Sequence, residues 1–188
     1  ENLQGLTVIE GDALKFNFDE WARQRSEKTG LCKVVGNLPY NISSPLLFHL
    51  VSAASHIDEQ VFMLQAEVVE RMVAQAGSSD FSRLSVMLQA RYDMELVLEV
   101  PPEAFEPAPK VNSAVVRMIP RKEFHLNSAQ WSALEQVVAA AFSQRRKMLR
   151  TNLQPFASKL KLSEDELKAR AQDISVDRYI EWAKVLAA

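Results

Sequence analysis

The alternation of short apolar runs with longer amphipathic stretches constrains the fold more than any other feature, and it stops near Pro120. Short runs that are apolar throughout, or that alternate with polar residues, are typical of strands, whereas apolar residues three or four apart are typical of helices. A strand–helix–strand rhythm predicts an α/β sheet with helices packed on it. After Pro120 only helical spacing continues. We therefore predict an α/β domain over residues 1–120 and a small all-α domain over residues 121–188.

The individual elements follow from these two periods. Strands are predicted at residues 6–9, 32–35, 60–65, 94–100 and 113–119, and helices at residues 19–28, 66–76, 82–92, 128–153, 163–171 and 176–186. The run at 32–35 does not alternate, so we expect both of its faces to be buried. Ser43 or Ser44 is expected to cap a further helix that has Pro45 in its first turn. The last two strands are too close for a crossover helix and should form an antiparallel hairpin.

The composition is that of a globular protein, since 47% of the 188 residues are hydrophobic and 24% are charged. The single cysteine, Cys32, cannot form an internal disulfide, which favours a cytoplasmic protein. No apolar run approaches the roughly 18 residues that a membrane span needs, so no membrane partner is expected. The three histidines, His49, His56 and His125, are scattered along the chain. Structural roles are favoured for them over a metal site.

The net charge of −2 hides an asymmetry between the two parts of the chain. Residues 121–188 carry 12 Lys and Arg against 8 Asp and Glu, whereas residues 1–120 carry 10 against 16. A basic part attached to an acidic one suggests a polyanionic partner for the basic part. Taken alone, a surplus of four positive charges is weak evidence for such a partner.

The predicted strand at 32–35 is followed by Asn37, Leu38, Pro39 and Tyr40, a combination that suggests chemistry on an amine. The Asn37 side-chain carbonyl and the Leu38 backbone carbonyl can each accept a hydrogen from the exocyclic amine of a base. This would aim the nitrogen lone pair at an electrophile. Pro39 stiffens the turn, and Tyr40 offers a face on which the base can stack. The structural alternative is a strand-ending turn with a partly buried tyrosine.

Five ordered segments resemble those of the ribosomal RNA adenine dimethyltransferases, the KsgA family. They are "GNLPYNISSPLLFHL", "FMLQAEVVERMVA", "RLSVMLQARY", "LEVPPEAFEPAPKVNSAVVRMIP" and "AFSQRRKMLRTNL". With "GDALKF", the resemblance covers most of the chain from Gly11 to about Leu153. It implies a Rossmann-like methyltransferase sheet that uses S-adenosylmethionine, followed by an RNA-binding helical domain. The implied activity is N6,N6-dimethylation of adenines in small-subunit (16S) ribosomal RNA, with a role in small-subunit biogenesis.

The resemblance also implies roles for residues near the strand ends. "GDALKF" is similar to the family's third motif, whose acid contacts the adenine amino group of S-adenosylmethionine, and this role falls on Asp12. Ala13 and Asn37 are implied beside the cofactor. Phe105 in "FEPAPKV" corresponds to a phenylalanine that stacks on the substrate adenine opposite Tyr40. Two such faces, each worth about 1–3 kcal/mol, would offset much of the cost of extruding the base. The structural alternatives are a turn former for Asp12 and a loop anchor for Phe105.

Basic side chains are the candidates for RNA contact. They are Lys110, Arg145, Arg146, Lys147 and Arg150. The last four lie within two turns at the polar end of the helix predicted at 128–153, where a solvated face is the structural alternative. Combined with the resemblance and the charge surplus, RNA contact is favoured. The implied partner is small-subunit ribosomal RNA, or the immature small subunit, bound by a monomeric protein.

The chain departs from the family pattern at the cofactor site. Nothing in it resembles the glycine-rich S-adenosylmethionine loop or the acid that holds the ribose hydroxyls. We therefore expect a fragment that lacks the first βαβ unit and is inactive by itself. Large-subunit RNA methyltransferases, and DNA adenine and glutamine methyltransferases, use similar quartets, but Leu38 and the "SQRRK" segment favour the small-subunit branch. A non-catalytic ribosome-assembly factor is the alternative from a different functional class.

Overall fold

The computed structural model describes residues 5–123 and 126–188, and His125 lies outside these ranges. The strands are β1 (Cys32–Asn37), β2 (Ile57–Gln65), β3 (Tyr92–Val100) and β4 (Ser113–Pro120). The α-helices are α1 (Phe18–Thr29), α2 (Ser43–Leu50), α3 (Ala66–Val73), α4 (Arg83–Gln89), α5 (Ser128–Ala141), α6 (Leu149–Asn152), α7 (Glu164–Lys168) and α8 (Val176–Leu186). The predicted α/β part followed by helices is therefore confirmed.

Strand β4 is inserted between β2 and β3, which gives the order β1-β2-β4-β3. β1 runs parallel to β2, and β4 runs antiparallel to both β2 and β3, so the predicted hairpin is confirmed. β1, β2 and β3 therefore point the same way, and their carboxyl ends share one edge of the sheet with the amino end of β4. In the register, Asn37 is opposite Met63, and Ser113 is opposite both Gln65 and Val100.

One face of the sheet is buried by α2, α3 and α4. Alternate residues of β2 and β4 meet apolar side chains of these helices, because successive side chains of a strand point to opposite faces. The cluster includes Phe62, Leu64, Ala114, Val116 and Met118 from the sheet, with Leu46, Leu47, Leu50, Val69, Met72 and Leu88 from the helices. Each large side chain buried in this way contributes about 1.5–3 kcal/mol. This layer fixes the helices relative to the carboxyl-end edge of the sheet.

The other face of β1 is exposed, so the prediction that residues 32–35 are buried on both faces is wrong. Val34 packs against the buried cluster, whereas Val35 is 79% exposed. β1 is an edge strand of the described sheet, and its packed side chains lie on one face only. An unbroken apolar run therefore does not by itself show that both faces are covered.

A ladder of charges crosses this exposed face, with one member on each strand. Lys33 Nζ lies 3.0 Å from Glu59 Oε2, Arg117 pairs with Glu59 through its Nε, and Arg117 Nη1 lies 3.1 Å from Glu95 Oε1. The hydrogen bonds from Arg117, and then from Lys33, hold the pKa of Glu59 below its usual range. Exposed ion pairs contribute little to stability. They nevertheless favour the observed register, because a slipped strand would separate the oppositely charged partners.

Residues 6–9 do not form the predicted strand. Leu6, Val8 and Ile9 are all exposed, and no strand in the described part of the chain pairs with this segment. An unpaired strand has no ladder to satisfy its backbone amides and carbonyls. The β propensity of the run is therefore not sufficient to make it a strand.

Helix α2 begins without the predicted serine cap. Its N-cap is Ile42, whose side chain makes no capping bond, so the prediction of Ser43 or Ser44 as the cap is wrong. Pro45 lies in the first turn, as predicted. Because Ser43 is already inside the helix, its hydroxyl reaches back and donates to the carbonyl of Tyr40 at 3.1 Å.

Helix α4 contributes to two cores. Leu88 faces the cluster on the sheet, whereas Val86, Met87 and Ala90 pack into a second cluster with α5 and α8. The second cluster also contains Leu134, Val137, Val138, Ala141, Tyr179, Ile180, Trp182 and Ala183. The core of the helical part thus includes residues that precede Pro120, and the domain division at residue 120 stays a prediction.

Helix α5 ends at Ala141, so the predicted single helix over residues 128–153 is wrong. The nearly buried Asn152 donates from its Nδ2 to the carbonyls of Ala141 at 2.6 Å and of Gln144 at 3.1 Å. These bonds satisfy carbonyls that a helix end leaves without partners. Residues 145–147 therefore lie on a compact turn between α5 and α6 rather than on a helix.

The ion pair between α7 and α8 generates a prediction about stability and pH. Arg178 Nε donates to Glu166 Oε1 at 2.5 Å, and this bond lowers the pKa of the carboxyl from its ordinary value. A carboxyl with a lowered folded-state pKa stabilises the fold above its unfolded pKa, and the contribution is lost as the pH falls through the folded pKa. Glu166→Gln should lower the free energy of unfolding by about 1 kcal/mol at pH 7, and the deficit should shrink as the pH falls below the ordinary Glu range. Urea denaturation at several pH values measures it.

The matched control is Glu181→Gln, because Glu181 pairs with the same Arg178 but its side chain is 61% exposed. This change should cost less than about 0.5 kcal/mol. Glutamine at position 166 can still accept from the amide of Ser163, as Glu166 does at 2.7 Å, so the comparison isolates the charge. A deficit for Glu166→Gln that does not change with pH would contradict the assignment.

Candidate active site

The carboxyl end of β1 makes a tight approach to the core just before the Asn-Leu-Pro-Tyr quartet. A Cβ added to Gly36 would lie 3.0 Å from Cδ2 of Leu38 and 3.4 Å from Cδ1 of Phe62. A glycine at this position therefore lets the buried Leu38 side chain fold back over the strand. The Leu38 amide donates to the carbonyl of Met63 at 3.1 Å, which holds the turn against β2. Asn37 and Pro39, on either side of the buried Leu38, are exposed to solvent.

Tyr40 is held at both ends by buried serines. Its backbone carbonyl accepts from Ser43, which is 2% exposed, and its hydroxyl lies 2.9 Å from Oγ of Ser113, which is 1% exposed. Tyr40 as a whole nevertheless remains 38% exposed. The arrangement thus presents an aromatic face whose edge is already bonded to the protein.

Two acceptors come just before Tyr40 in the chain, on Asn37 and Leu38. Within residues 5–123 and 126–188, no protein group donates to the Asn37 side chain or to the Leu38 carbonyl. A carbonyl oxygen on each of two adjacent residues can accept the two hydrogens of one amino group. The pair is therefore suited to an exocyclic amine whose ring stacks on the neighbouring aromatic face.

The loop between β3 and β4 reaches the same edge of the sheet. A 3₁₀ turn at Pro102–Ala104 precedes Phe105, whose amide donates to the carbonyl of Pro102 at 3.1 Å. At the other end of the loop, the carbonyl of Asn112 accepts from the amide of Ala66 at 2.9 Å. Phe105 is half-buried, and among the described ring contacts there is none between Phe105 and Tyr40. Both rings belong to segments anchored at one edge and do not stack on each other.

Asp12 forms a local turn of its own. Its Oδ1 accepts from the amide of Leu14 at 3.0 Å, and its backbone carbonyl accepts from Lys15 and Phe16 at 3.0 and 3.1 Å. The carboxylate is about half exposed, and among the described residues the one cation within 4 Å of Oδ2 is Lys15, at 3.9 Å. The turn-forming interpretation of Asp12 is therefore correct locally, while one carboxylate oxygen remains available to a ligand.

The segment after Asp12 packs against α2 and borders an open cavity of about 400 Å³, which Thr7, Ile9 and Gly11 also line. His49 Nε2 donates to the carbonyl of Phe16 at 2.6 Å, and its ring meets Phe18 edge-on at 5.5 Å. Ala13, Phe16 and Phe18 line the cavity together with Trp21 and the middle of β1. Asn37, Asp12 and Tyr40 do not line it. The cavity is largely apolar, and it lies between the Asp12 turn and the exposed side of the sheet.

The basic turn after α5 is docked on the loop that follows α3. Arg145 donates from Nη2 to the carbonyl of Ser79, and its Nε lies 3.5 Å from Oε1 of Gln172. The carbonyl of Gln172 in turn accepts from the amide of Gly77 at 2.7 Å. Arg145 is therefore engaged with the protein and holds the turn in place.

The other basic candidates point into solvent. Lys110, Arg146, Lys147 and Arg150 are exposed, and none of their side chains has an ion pair within the described ranges. Within those ranges there is also no group of three His, Cys, Asp or Glu side chains that could hold a metal. No helix among the described residues is both long enough and apolar enough to cross a bilayer.

Comparison with known proteins identifies the family. A sequence model described as ribosomal RNA adenine dimethylase matches residues 2–188. The chain belongs to the ribosomal RNA adenine dimethylase family. Proteins named ribosomal RNA small subunit methyltransferase A, from Burkholderia mallei and Burkholderia thailandensis, are 52% identical to it over 185 residues. The match covers 97% of this chain and 66% of each relative, so the chain spans slightly less than two thirds of their length.

Solved structures of two proteins share the fold of this dimethylase-family chain. A dimethyladenosine transferase from Plasmodium falciparum superposes with a TM-score of 0.76 at 24% identity, over 96% of this chain and 72% of that protein. The 23S rRNA methyltransferase ErmE superposes with a TM-score of 0.57 at 20% identity, over 90% of this chain and 79% of ErmE. At these identities the likeness concerns the fold alone.

The sequence did not indicate the two serines that hold Tyr40 in this dimethylase-family chain. Ser43 was expected to cap a helix, and it binds the Tyr40 carbonyl instead. Ser113 was not singled out, although it lies within one of the quoted segments. No local signal marks either residue, because a serine at the start of a helix or of a strand is common. Only the tertiary pairing shows their contact with Tyr40.

Proposed function

We propose that the complete protein transfers methyl groups from S-adenosylmethionine to N6 of adenine in small-subunit ribosomal RNA, two for each base. Membership of the dimethylase family sets the reaction class, and the name of the 52% identical relatives supports the small-subunit substrate. The observation that carries the proposal is a pair of acceptors, the Asn37 amide and the Leu38 carbonyl, that have no partner among the described residues and come directly before Pro39 and the anchored Tyr40.

The residues at the end of β1 act by orienting an amine. An adenine amino group is a weak nucleophile because its lone pair is delocalised into the ring. Hydrogen bonds to Asn37 and Leu38 would hold both hydrogens and favour a nitrogen whose lone pair points away from them. Tyr40 and Phe105 would stack on the two faces of the ring and offset the cost of unstacking it from RNA. No nucleophilic side chain is required, since the amine itself forms the new bond.

The residues present fit the adenine end of S-adenosylmethionine. Oδ2 of Asp12 can accept from an amino group, and the apolar cavity beside Ala13 has flat aromatic walls from Phe16 and Phe18. Asp12 and Ala13 would hold the adenine, and Asn37 would lie on the side of the methyl group. When bound, S-adenosylmethionine would supply its sulfonium methyl to an attacking amine, with the thioether as the leaving group and the surplus amine proton passing to water. The glycine-rich turn that usually receives the rest of such a cofactor has no counterpart in the sequence.

The helical part is proposed to bind the RNA. Arg146 and Lys147 project from a turn that Asn152 and Arg145 hold in a defined position. Arg150 lies on the following helix α6, and Lys110 lies on the loop that carries Phe105. We assign residues 1–120 to catalysis and residues 121–188 to RNA binding. The proposed partner is the immature small ribosomal subunit in the cytoplasm, bound by a monomer.

A second candidate function is that of a ribosome-assembly factor whose binding matters apart from methylation. The docked basic turn favours it, because the turn's position does not depend on the catalytic residues. The two functions are compatible, and loss of methylation without loss of binding separates them.

The first prediction concerns the amine. Asn37→Ala in the complete protein should lower the rate of methyl transfer by about 100-fold or more, while the Kd for the RNA changes less than about threefold, because the side chain acts on the reacting nitrogen. Single-turnover transfer and filter binding measure the two effects. Lys28→Ala, a change at an exposed residue of α1 that does not line the cavity, is the control and should leave both unchanged. Equal losses of rate and affinity would exclude the proposed role.

The second prediction concerns the basic turn. Arg146→Ala with Lys147→Ala should flatten the salt dependence of RNA binding, by about 0.9 in slope for each lost contact with a duplex phosphate and about 0.7 with a single strand. Lys161→Ala with Lys184→Ala removes the same charge elsewhere in the helical part and should leave the slope unchanged. Arg145→Ala should mainly lower thermal stability, because Arg145 is bonded to Ser79. A salt slope unchanged by the first pair would assign these residues to a solvated surface.

The third prediction concerns residues 1–188 as an isolated chain. They should bind S-adenosylmethionine weakly or not at all and show no catalysis, because they offer a carboxylate acceptor and apolar walls for only one end of the molecule. Calorimetric titration measures the affinity, with the full-length Burkholderia mallei relative as the positive control. Micromolar binding by the chain alone would contradict the assignment of the cofactor site.

The same chain should self-associate. The exposed Val35 on the edge strand β1 and the exposed apolar residues at 6–9 leave apolar surface and unpaired backbone groups at one side of the sheet. Sedimentation velocity between low and high micromolar concentrations should show a rising mass. A monomer across this range would show that the edge is protected.

A further inference from the structure

The contact between Tyr40 and Ser113 joins two segments that are 73 residues apart. Ser113 is the first residue of β4 and lies opposite the last residues of β2 and β3, Gln65 and Val100. Its hydroxyl is buried, and within the described residues its one hydrogen bond is to Tyr40 at 2.9 Å. The Tyr40 hydroxyl likewise has no other partner there. The bond thus connects the ring to the first residue of β4, which is paired with β2 on one side and with β3 on the other.

We propose that Ser113 is a positioning residue that sets the plane of the Tyr40 ring for the target base. This inference rests on the proposed methyl transfer. A tyrosine ring turns about two side-chain torsions, and fixing the backbone leaves both free. Ser43 fixes the backbone end of Tyr40 at its carbonyl, and Ser113 fixes the far end of the ring at its hydroxyl. With both ends bonded, the exposed face is oriented before a base arrives.

Ser113 also connects the Tyr40 face to the loop that carries the second aromatic ring, Phe105. The residues that immediately precede it form the loop that carries Phe105, and the carbonyl of Asn112 accepts from the amide of Ala66 at 2.9 Å. The end of that loop is therefore anchored to β4 and to the start of α3. The Ser113 hydroxyl contact thus fixes the position of the Tyr40 face relative to β4, the strand that follows the Phe105 loop.

The contact also limits what Tyr40 can do chemically. Its hydroxyl is bonded to a buried group, so it is not directed toward a base stacked on the ring. Tyr40 then contributes its face, and its phenol serves as an anchor rather than as an acid or a hydrogen-bond donor to the substrate. It follows that removal of either hydroxyl, of Tyr40 or of Ser113, breaks the same hydrogen bond and should have the same effect.

A double-mutant cycle in the complete protein tests this. The variants are Ser113→Ala, Tyr40→Phe and the two combined, with single-turnover methyl transfer on a defined small-subunit RNA as the readout. Each single change should lower kcat about tenfold, because a misplaced ring misplaces the amine, while the KM for RNA changes less than about twofold. The double variant should be no slower than the slower single variant, because either change breaks the same bond. Ser113→Thr keeps the hydroxyl and should recover most of the rate.

A second measurement reports the ring directly. RNA with 2-aminopurine at the target position should show quenched fluorescence when the base stacks on the protein, and Ser113→Ala should restore at least half of the lost fluorescence. Ser85→Ala, which removes a buried hydroxyl bonded within the α3–α4 region, is the control for general destabilisation and should leave the quenching unchanged. This control separates positioning from loss of fold.

The outcomes distinguish this inference from the function on which it rests. Absence of methyl transfer by the unmodified complete protein would overturn both. Normal transfer by Ser113→Ala, multiplicative losses in the double variant, or quenching that Ser85→Ala alters as much as Ser113→Ala would overturn the positioning role and leave the proposed function standing. Non-multiplicative losses with reduced quenching would support it.

Discussion

The insertion of β4 between β2 and β3 is the constraint on which the rest of the structure depends. Because β4 runs antiparallel to both neighbours, its amino end lies among the carboxyl ends of β1, β2 and β3. This brings Ser113 within hydrogen-bond distance of Tyr40 and brings the loop containing Phe105 to the same edge as Asn37. A fourth strand parallel to the others would place its first residue at the opposite edge, far from the quartet.

Helix α4 provides the second connection, between the sheet and the helical part. Leu88 packs toward the sheet, while Val86 and Met87 pack toward α5 and α8. The docking of Arg145 on Ser79 adds a polar contact across the same junction. The proposed RNA-binding turn is therefore tied to the proposed catalytic edge by buried side chains as well as by the chain connection. This is the arrangement needed if binding of RNA is to place one base at the quartet.

The sequence predicted most helices and strands because hydrophobic period and turn residues act locally. Its errors share a different origin. Residues 6–9 have strand propensity but no pairing partner in the part of the chain that the structure describes, and residues 32–35 are apolar but lie on an edge strand with one covered face. Helix α5 ends early because Asn152, eleven residues further along, bonds the carbonyl of Ala141. In each case a contact with a distant segment, or its absence, outweighed the local preference.

By itself, the sequence determined that a helical part follows an α/β part, the pair of carbonyl acceptors at Asn37 and Leu38, and the resemblance that the family comparison confirms. These features depend on residue type and on short spacings along the chain, which are present before the chain folds. Only the tertiary structure decided which side of β1 is exposed, that Arg145 is docked rather than free, and that Tyr40 is anchored by Ser113. Burial and hydrogen bonding between distant segments depend on strand order and register, and no local pattern in the chain specifies those.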